Sequence, residues 1–286
     1  MTFELDTIIF DDVLKGLATI PDGIVSLVVT SPPYNVGMEY GKRDDREPWK
    51  QYIDWLGKIM KECKRVLRDG GRLIINIDSI VNHEEDNDKE YFRPIYADLV
   101  NIGRDVGLNF RTDICWFKHQ VVGRATAWGS YCLCSNPTIR RNHEYLLVWS
   151  KGPWRLEGDS EQSDMTKAEF EEWTMSFWHI QPETKKKGGH PCPFPEELVK
   201  RCIKLFSYRG DVVLDPFMGS GTTAYVAKML SRHYIGIENS KEWLDYANDR
   251  VASISDMFGD ETYIPRSERL KKEPPTGGEQ EPGCGI

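Results

Sequence analysis

Leu214-Asp215-Pro216-Phe217-Met218-Gly219-Ser220-Gly221-Thr222-Thr223 sits between two apolar runs of different period. Before it, Asp211-Val212-Val213-Leu214 has the short, β-branched character of a buried strand. After it, Ala224 to Leu230 carries helical spacing. Gly219 and Gly221 fall at the junction, where the chain must turn sharply and let a ligand approach the backbone. A glycine turn feeding a helix N-terminus presents unpaired N–H groups to anionic or polar ligand atoms. One strand later, Tyr234-Ile235-Gly236-Ile237-Glu238 ends in an acid. In nucleotide-binding α/β folds a carboxylate at the tip of the second strand takes the ribose hydroxyls. The glycines alone are compatible with an ordinary tight turn. Strand, turn, helix, strand and acid together favour a nucleotide-like ligand.

Working outward, 286 residues allow one large domain or two small ones, and 40% apolar residues with 9 Trp and 12 Tyr supply a sizeable core. The net charge of −8 excludes a protein coated in basic charge but leaves room for a local basic groove. No apolar run reaches the length of a membrane span, and Met1-Thr2-Phe3-Glu4 lacks the pattern of a signal peptide. Seven scattered cysteines, an odd number, suggest reduced thiols in a cytosol. Cys132 and Cys134 are too closely spaced for a zinc knuckle and have no second pair, so no metal site is expected.

Upstream, Thr7 to Phe10 reads as a strand and Asp12 as the N-cap of a helix through Ile20. Val25 to Thr30 is a buried strand that stops at Ser31-Pro32-Pro33-Tyr34-Asn35. Two prolines cannot donate to a sheet ladder, so they form a stiff loop at the carboxyl end of that strand. Open α/β sheets bind ligands at such ends. Nearby carbonyls are left to accept from a substrate, with the Tyr34 ring beside them. Trp49 to Leu67 has helical spacing and leads to Gly70-Gly71 as C-cap glycines. Arg72 to Ile77 is a strand, Tyr91 to Gly107 a helix, and Arg111 to Phe117 and Glu144 to Trp149 are strands. From Lys118 to Arg141 the cations Lys118, Arg124, Arg140 and Arg141 meet no acid, and Trp128 and Tyr131 are interleaved. Basic groups neutralise phosphate and aromatic rings stack on bases. With the loop Lys185-Lys186-Lys187, this favours a nucleic-acid groove over plain solvated charge. Helices are expected over Glu196 to Phe206 and Glu242 to Ile254, with disorder from about Ser267.

Taken together, the chain resembles the amino-group DNA methyltransferases, which move a methyl group from S-adenosylmethionine (SAM) to N4 of cytosine or N6 of adenine. Thr30-Ser31-Pro32-Pro33-Tyr34-Asn35 is similar to their catalytic motif, and Asp215 to Thr222 to their SAM motif. Arg141-Asn142-His143-Glu144 and His190 to Pro195 add to the likeness, and the catalytic loop coming first corresponds to the β order of that family. Asp11 stands where the family usually has a glycine. The resemblance implies an α/β, Rossmann-like fold with a mostly parallel seven-stranded sheet and helices on both faces. It implies a catalytic half over 1–117, a target-recognition region over 118–187, a SAM-binding half over 188–258 and a tail over 259–286. It assigns Ser31, Pro32, Pro33 and Tyr34 to catalysis. Asp12, Phe194, Asp215, Pro216, Phe217, Gly219, Ser220, Gly221, Thr222 and Glu238 go to SAM. Lys118, Arg124, Arg140, Arg141, Lys185, Lys186 and Lys187 are candidate DNA contacts. Double-stranded DNA is the expected partner, with a cognate restriction endonuclease acting separately, in a prokaryotic cytoplasm, as a monomer or homodimer. Serine at the start of the catalytic loop resembles the N4-cytosine enzymes, and its hydroxyl can donate to N3 while accepting from N4. N6 of adenine is the alternative, and an RNA or protein-glutamine methyltransferase the second.

Overall fold

The structure, a computed structural model, describes residues 3–37, 45–83, 91–118, 129–183 and 194–254. In chain order the elements are β1 (Thr7–Phe10), α1 (Val13–Thr19), β2 (Val25–Thr30), α2 (Trp49–Val66), β3 (Leu67–Ile77), β4 (Val81–His83), β5 (Tyr91–Arg93), α3 (Ile95–Asp105), β6 (Asn109–Phe117), β7 (His143–Ser150), α4 (Lys167–Trp173), β8 (Phe177–His179), α5 (Glu196–Phe206), β9 (Val212–Asp215), α6 (Thr222–Met229), β10 (His233–Glu238) and α7 (Lys241–Ala252).

One sheet runs in the order β1-β10-β9-β2-β3-β7-β6-β8. Its pairings are parallel except where β7 lies antiparallel to both β3 and β6. The central strands β2 and β9 are buried along their whole length, which is why they read as continuous apolar runs rather than alternating ones. One face packs on α1, α2 and α3 through Leu17, Leu56, Met60 and Leu99. The other packs on α4, α5, α6 and α7 through Trp173, Val199, Ala227 and Leu244.

The expected seven strands are joined by an eighth, β8, three residues that pair parallel with the edge of β6. Its Trp178 is 1% exposed and inserts into the second core, and Trp173 of α4 does the same at 4%. The section 160–180 of the expected target-recognition region is therefore welded to the sheet. Asp164 adds to this by clasping the buried Arg232 with two hydrogen bonds of 2.7 and 2.9 Å. Gly70 and Gly71 do not cap α2. That helix ends at Val66, and β3 starts at once, with its pairing to β2 jumping from Leu67 to Arg72. The two glycines lie in the resulting bulge, where Gly70 has φ +73° and a Cβ would sit 2.2 Å from the Arg155 carbonyl oxygen. The helix read as beginning at Tyr91 begins at Ile95. Pro94 precedes it as N-cap, and Tyr91–Arg93 pairs instead with β4. The expected tail over 259–286 lies outside the described residues.

Candidate active site

β2 and β9 are neighbours, with Leu27 opposite Val213 and Val28 opposite Leu214. Their carboxyl ends therefore emerge side by side, and each carries one of the loops singled out in the sequence. The last residue of β2 meets the last residue of β9. Thr30 Oγ1 donates to Asp215 Oδ1 at 2.6 Å, across 185 positions of sequence. Thr223 Oγ1, from the first turn of α6, donates to the other carboxylate oxygen at 2.7 Å, and Phe217 N to the first at 3.0 Å. Burial pushes the Asp215 carboxyl up to about 6, against the pull of these three donors. Asp215 thus fastens three segments, the end of β2, the turn after β9 and the start of α6.

The turn itself calls for glycine. Gly219 and Gly221 have φ of +52° and +75°, a backbone region that side-chain-bearing residues rarely enter. At Gly221 a Cβ would also fall 2.7 Å from that of Ala247. Arg250 of α7 holds the turn from outside, donating to Ser220 O at 3.1 Å and Thr222 Oγ1 at 2.9 Å. Pro216, Ser220 and Thr222 are buried. Glu238, at the tip of β10, accepts from Gly219 N at 2.8 Å, Asn239 N at 3.0 Å and Ser240 N at 2.8 Å. Burial raises its carboxyl despite those amides. Its orientation is fixed, and a lone pair remains for a hydroxyl donor. Asp12 lies just beyond β1, whose Phe10 is level with Glu238. It is exposed and caps α1 through Leu14 N at 3.0 Å. Phe217 packs against Trp55, with ring centroids 5.6 Å apart. Phe194 packs on the opposite core face. The donor set suits a nucleoside-type cofactor: side-chain-free backbone at the turn, a fixed acid at the second strand, and aromatic cover from Phe217.

The proline loop is held as firmly. Pro32 and Pro33 are buried, and the Pro33 carbonyl accepts from Tyr52 Oη at 2.7 Å. Asn35, at φ +58°, exchanges hydrogen bonds with the Glu47 backbone at 2.7 and 2.9 Å. Asp45 takes the backbone N–H groups of Asn35 and Val36, both at 2.9 Å. α2 joins the two loops, because Tyr52 also lies 6.1 Å from Trp55, which meets Phe217. Ser31 Oγ lies 3.3 Å from Tyr34 Oη and 3.4 Å from Asn76 O. Behind Tyr34, Asn76 of β3 donates to Tyr34 Oη at 3.1 Å and to Glu144 Oε2 of β7 at 2.7 Å.

Of the basic candidates, Lys118 pairs with Glu144 and lies 4.4 Å above the Trp116 ring. Arg141 pairs with Asp78 at 3.0 Å, and Arg140 is exposed. Arg124, Lys185, Lys186 and Lys187 lie outside the described residues. Sequence reasoning quoted Thr30 and Thr223 within the two motifs without giving either a role, and passed over Asn76, Tyr52 and Asp45 as site residues. Asn76 carried a signal, being the one polar residue within Leu73-Ile74-Ile75-Asn76-Ile77.

The N6/N4 DNA methylase family profile matches residues 25–249. The type II methyltransferase M.MjaVI of Methanocaldococcus jannaschii is 39% identical over 181 residues, covering 63% of this chain and 88% of its own. M.HpaI of Haemophilus parainfluenzae, also a type II methyltransferase, is 28% identical over 261 residues, covering 88% and 76%. Among solved structures, TTHA0409 of Thermus thermophilus, described as a putative DNA modification methylase and complexed with S-adenosyl-L-methionine, superposes with a TM-score of 0.69. It is 29% identical, and the match covers 85% of this chain and 92% of that one. A profile that spans both loops, on a sheet that brings them together, settles the family: the chain belongs to the N6/N4 DNA methylases.

Proposed function

We propose that this protein methylates N4 of a cytosine flipped out of double-stranded DNA, at a specific recognition sequence. The reading rests on the 2.6 Å hydrogen bond between Thr30 and Asp215, which fixes a methyl-acceptor loop beside the SAM turn. Bound at that turn, SAM supplies an electrophilic methyl group on a positively charged sulfur. Gly219 and Gly221 would admit its methionine end with Asp215 near the amino group, Glu238 would take the ribose hydroxyls, and Asp12 would meet the adenine amine.

The target amine is inaccessible inside a duplex, so the base leaves the stack. Its lone pair is delocalised into the ring and is a poor nucleophile. Ser31 Oγ and the Pro32 carbonyl accept its two hydrogens, which draws the nitrogen toward a tetrahedral shape with its lone pair aimed outward. The Ser31 hydrogen is free to turn toward a ring nitrogen or toward Tyr34 Oη, 3.3 Å away. Tyr34 stacks on the base. Placement within near-attack distance does the main work, and no covalent enzyme intermediate is needed. The methylated nitrogen then gives up its surplus proton to solvent water.

Serine at the head of the loop supports cytosine N4, and adenine N6 is the alternative. The target-recognition role goes to 118–187, and the exposed Arg140 is its foremost candidate DNA contact among the described residues. The type II relatives favour a separate cognate endonuclease and a cytoplasmic site of action. Expressing the protein with a plasmid and digesting the DNA to nucleosides for mass spectrometry tests the proposal. N4-methylcytosine is expected, N6-methyladenine would move the assignment to the alternative, and unmodified DNA would overturn it.

A further inference from the structure

Glu144 and Asn76 are not needed to build the sheet. Asn76 follows the apolar run Leu73-Ile74-Ile75 of β3, Glu144 precedes the run Leu146-Leu147-Val148 of β7, and both lie near the proline loop where the two strands run antiparallel. Asn76 is 2% exposed, and its Oδ1 is buried with no hydrogen-bond partner. An orphaned acceptor is unfavourable, so the amide is held by what its other end does. That end, Nδ2, donates to Glu144 Oε2 at 2.7 Å and to Tyr34 Oη at 3.1 Å. Turning the amide over would set its oxygen against a Glu144 oxygen that Asn76 Nδ2 now meets at 2.7 Å, so that contact fixes the flip. Glu144 Oε2 also lies 3.4 Å from Tyr34 Oη. The second oxygen, Oε1, is bound by Lys118, and the side chains of this pair are only 20% and 16% exposed.

Lys118 and Glu144 stand at the two ends of the basic segment, and the Lys118 N–H to Asn142 carbonyl hydrogen bond of 2.7 Å closes the same neck. We propose that Glu144, oriented by Lys118 and Asn76, is a positioning residue for Tyr34, and that Lys118 serves this chain of contacts rather than a DNA phosphate. The inference rests on the proposed function. The neck of the DNA-contacting segment is thereby connected to the ring that receives the flipped base. A shift of that neck is transmitted to Tyr34 through two side chains.

The test measures kcat, the KM for DNA across a salt series, and SAM affinity for four full-length variants. Lys118→Met is expected to lower kcat about tenfold and Glu144→Ala by ten- to a hundredfold. SAM affinity stays within twofold, and the dependence of the DNA KM on salt is unchanged. Lys118→Arg restores kcat to within threefold. Glu144→Gln, which keeps the shape and drops the charge, falls between wild type and alanine and guards against a misfolded alanine protein. A Lys118→Met protein with normal kcat but a salt slope reduced by about one would overturn the inference, since that is the signature of a phosphate contact. So would normal kcat in both Glu144 variants. A wild type that binds SAM yet leaves DNA unmethylated would sink the proposed function too, whereas an active wild type with unaffected variants sinks the inference alone.

Discussion

Replacing Thr30 by valine removes one hydroxyl and nearly nothing else, because the two side chains share a shape. What is lost is the 2.6 Å donor to Asp215, inside a site where Thr30 is 3% and Asp215 2% exposed. A hydrogen bond to a charged partner contributes about 1.5–3 kcal/mol, and a neutral one about 0.5–1.5 kcal/mol. The sign of the pH dependence follows from the carboxyl. Burial holds it at about 6 in the folded protein, above the value of about 3.9 in an unfolded chain. Its contribution to stability is therefore fully present in acid, below the unfolded value, and is lost as pH rises through about 6. Without Thr30 the charged form is still harder to bury. The valine protein should lose about 1 kcal/mol at pH 5, where Asp215 is mostly protonated, and about 2–3 kcal/mol at pH 8, where it is charged. Urea unfolding followed by tryptophan fluorescence at both pH values, without SAM, measures the difference. Equal losses at the two pH values, or a larger loss in acid, would refute the assignment of Asp215 as the buried, titrating tie between the loops.

Other outcomes are expected. Gly221→Ala faces both φ +75° and Ala247 at 2.7 Å, so it should destabilise by about 2–4 kcal/mol and weaken SAM binding at least tenfold by calorimetry. Asp164→Ala strands the fully buried Arg232 guanidinium, at about 3–5 kcal/mol. Pairing Asp164→Leu with Arg232→Met should recover most of that in a thermal melt. Tyr34→Ala should cut kcat roughly 100-fold while SAM affinity stays normal; an unchanged rate would remove Tyr34 from the reaction. Arg140→Glu should weaken DNA binding and lower its salt slope by about one or more, read by fluorescence anisotropy.

The stretch from β9 to β10 was the most legible part of the chain. β9, the glycine turn, α6 and β10 follow one another locally, and their signals come from neighbouring residues. α5 likewise runs Glu196–Phe206 as read, with acids at its start and an amphipathic pattern throughout. The proline loop was legible as a loop at a strand end because proline chemistry is local. What was hidden depended on pairing. β8 is three residues long and becomes a strand only because β6 offers it an edge. Gly70-Gly71 carries the same composition whether it caps a helix or forms a bulge, and the choice was made by the register of β3 on β2. Asn76 and Glu144 gain meaning only when two antiparallel strands set them side by side. The Thr30–Asp215 tie likewise waits on the β2–β9 pairing, which no local pattern announces.

That pairing also decides which partner has to travel during turnover. The proline loop and the glycine turn, acceptor and donor loops in the proposed function, hang from adjacent strands of one sheet, a spacing of about 4.8 Å, and they are bolted together at their roots. That tie leaves the two loops little freedom to move apart at their roots. Under the proposed function, the excursion that brings nitrogen to carbon falls to the nucleotide, which rotates out of the helix to reach the fixed pair of loops.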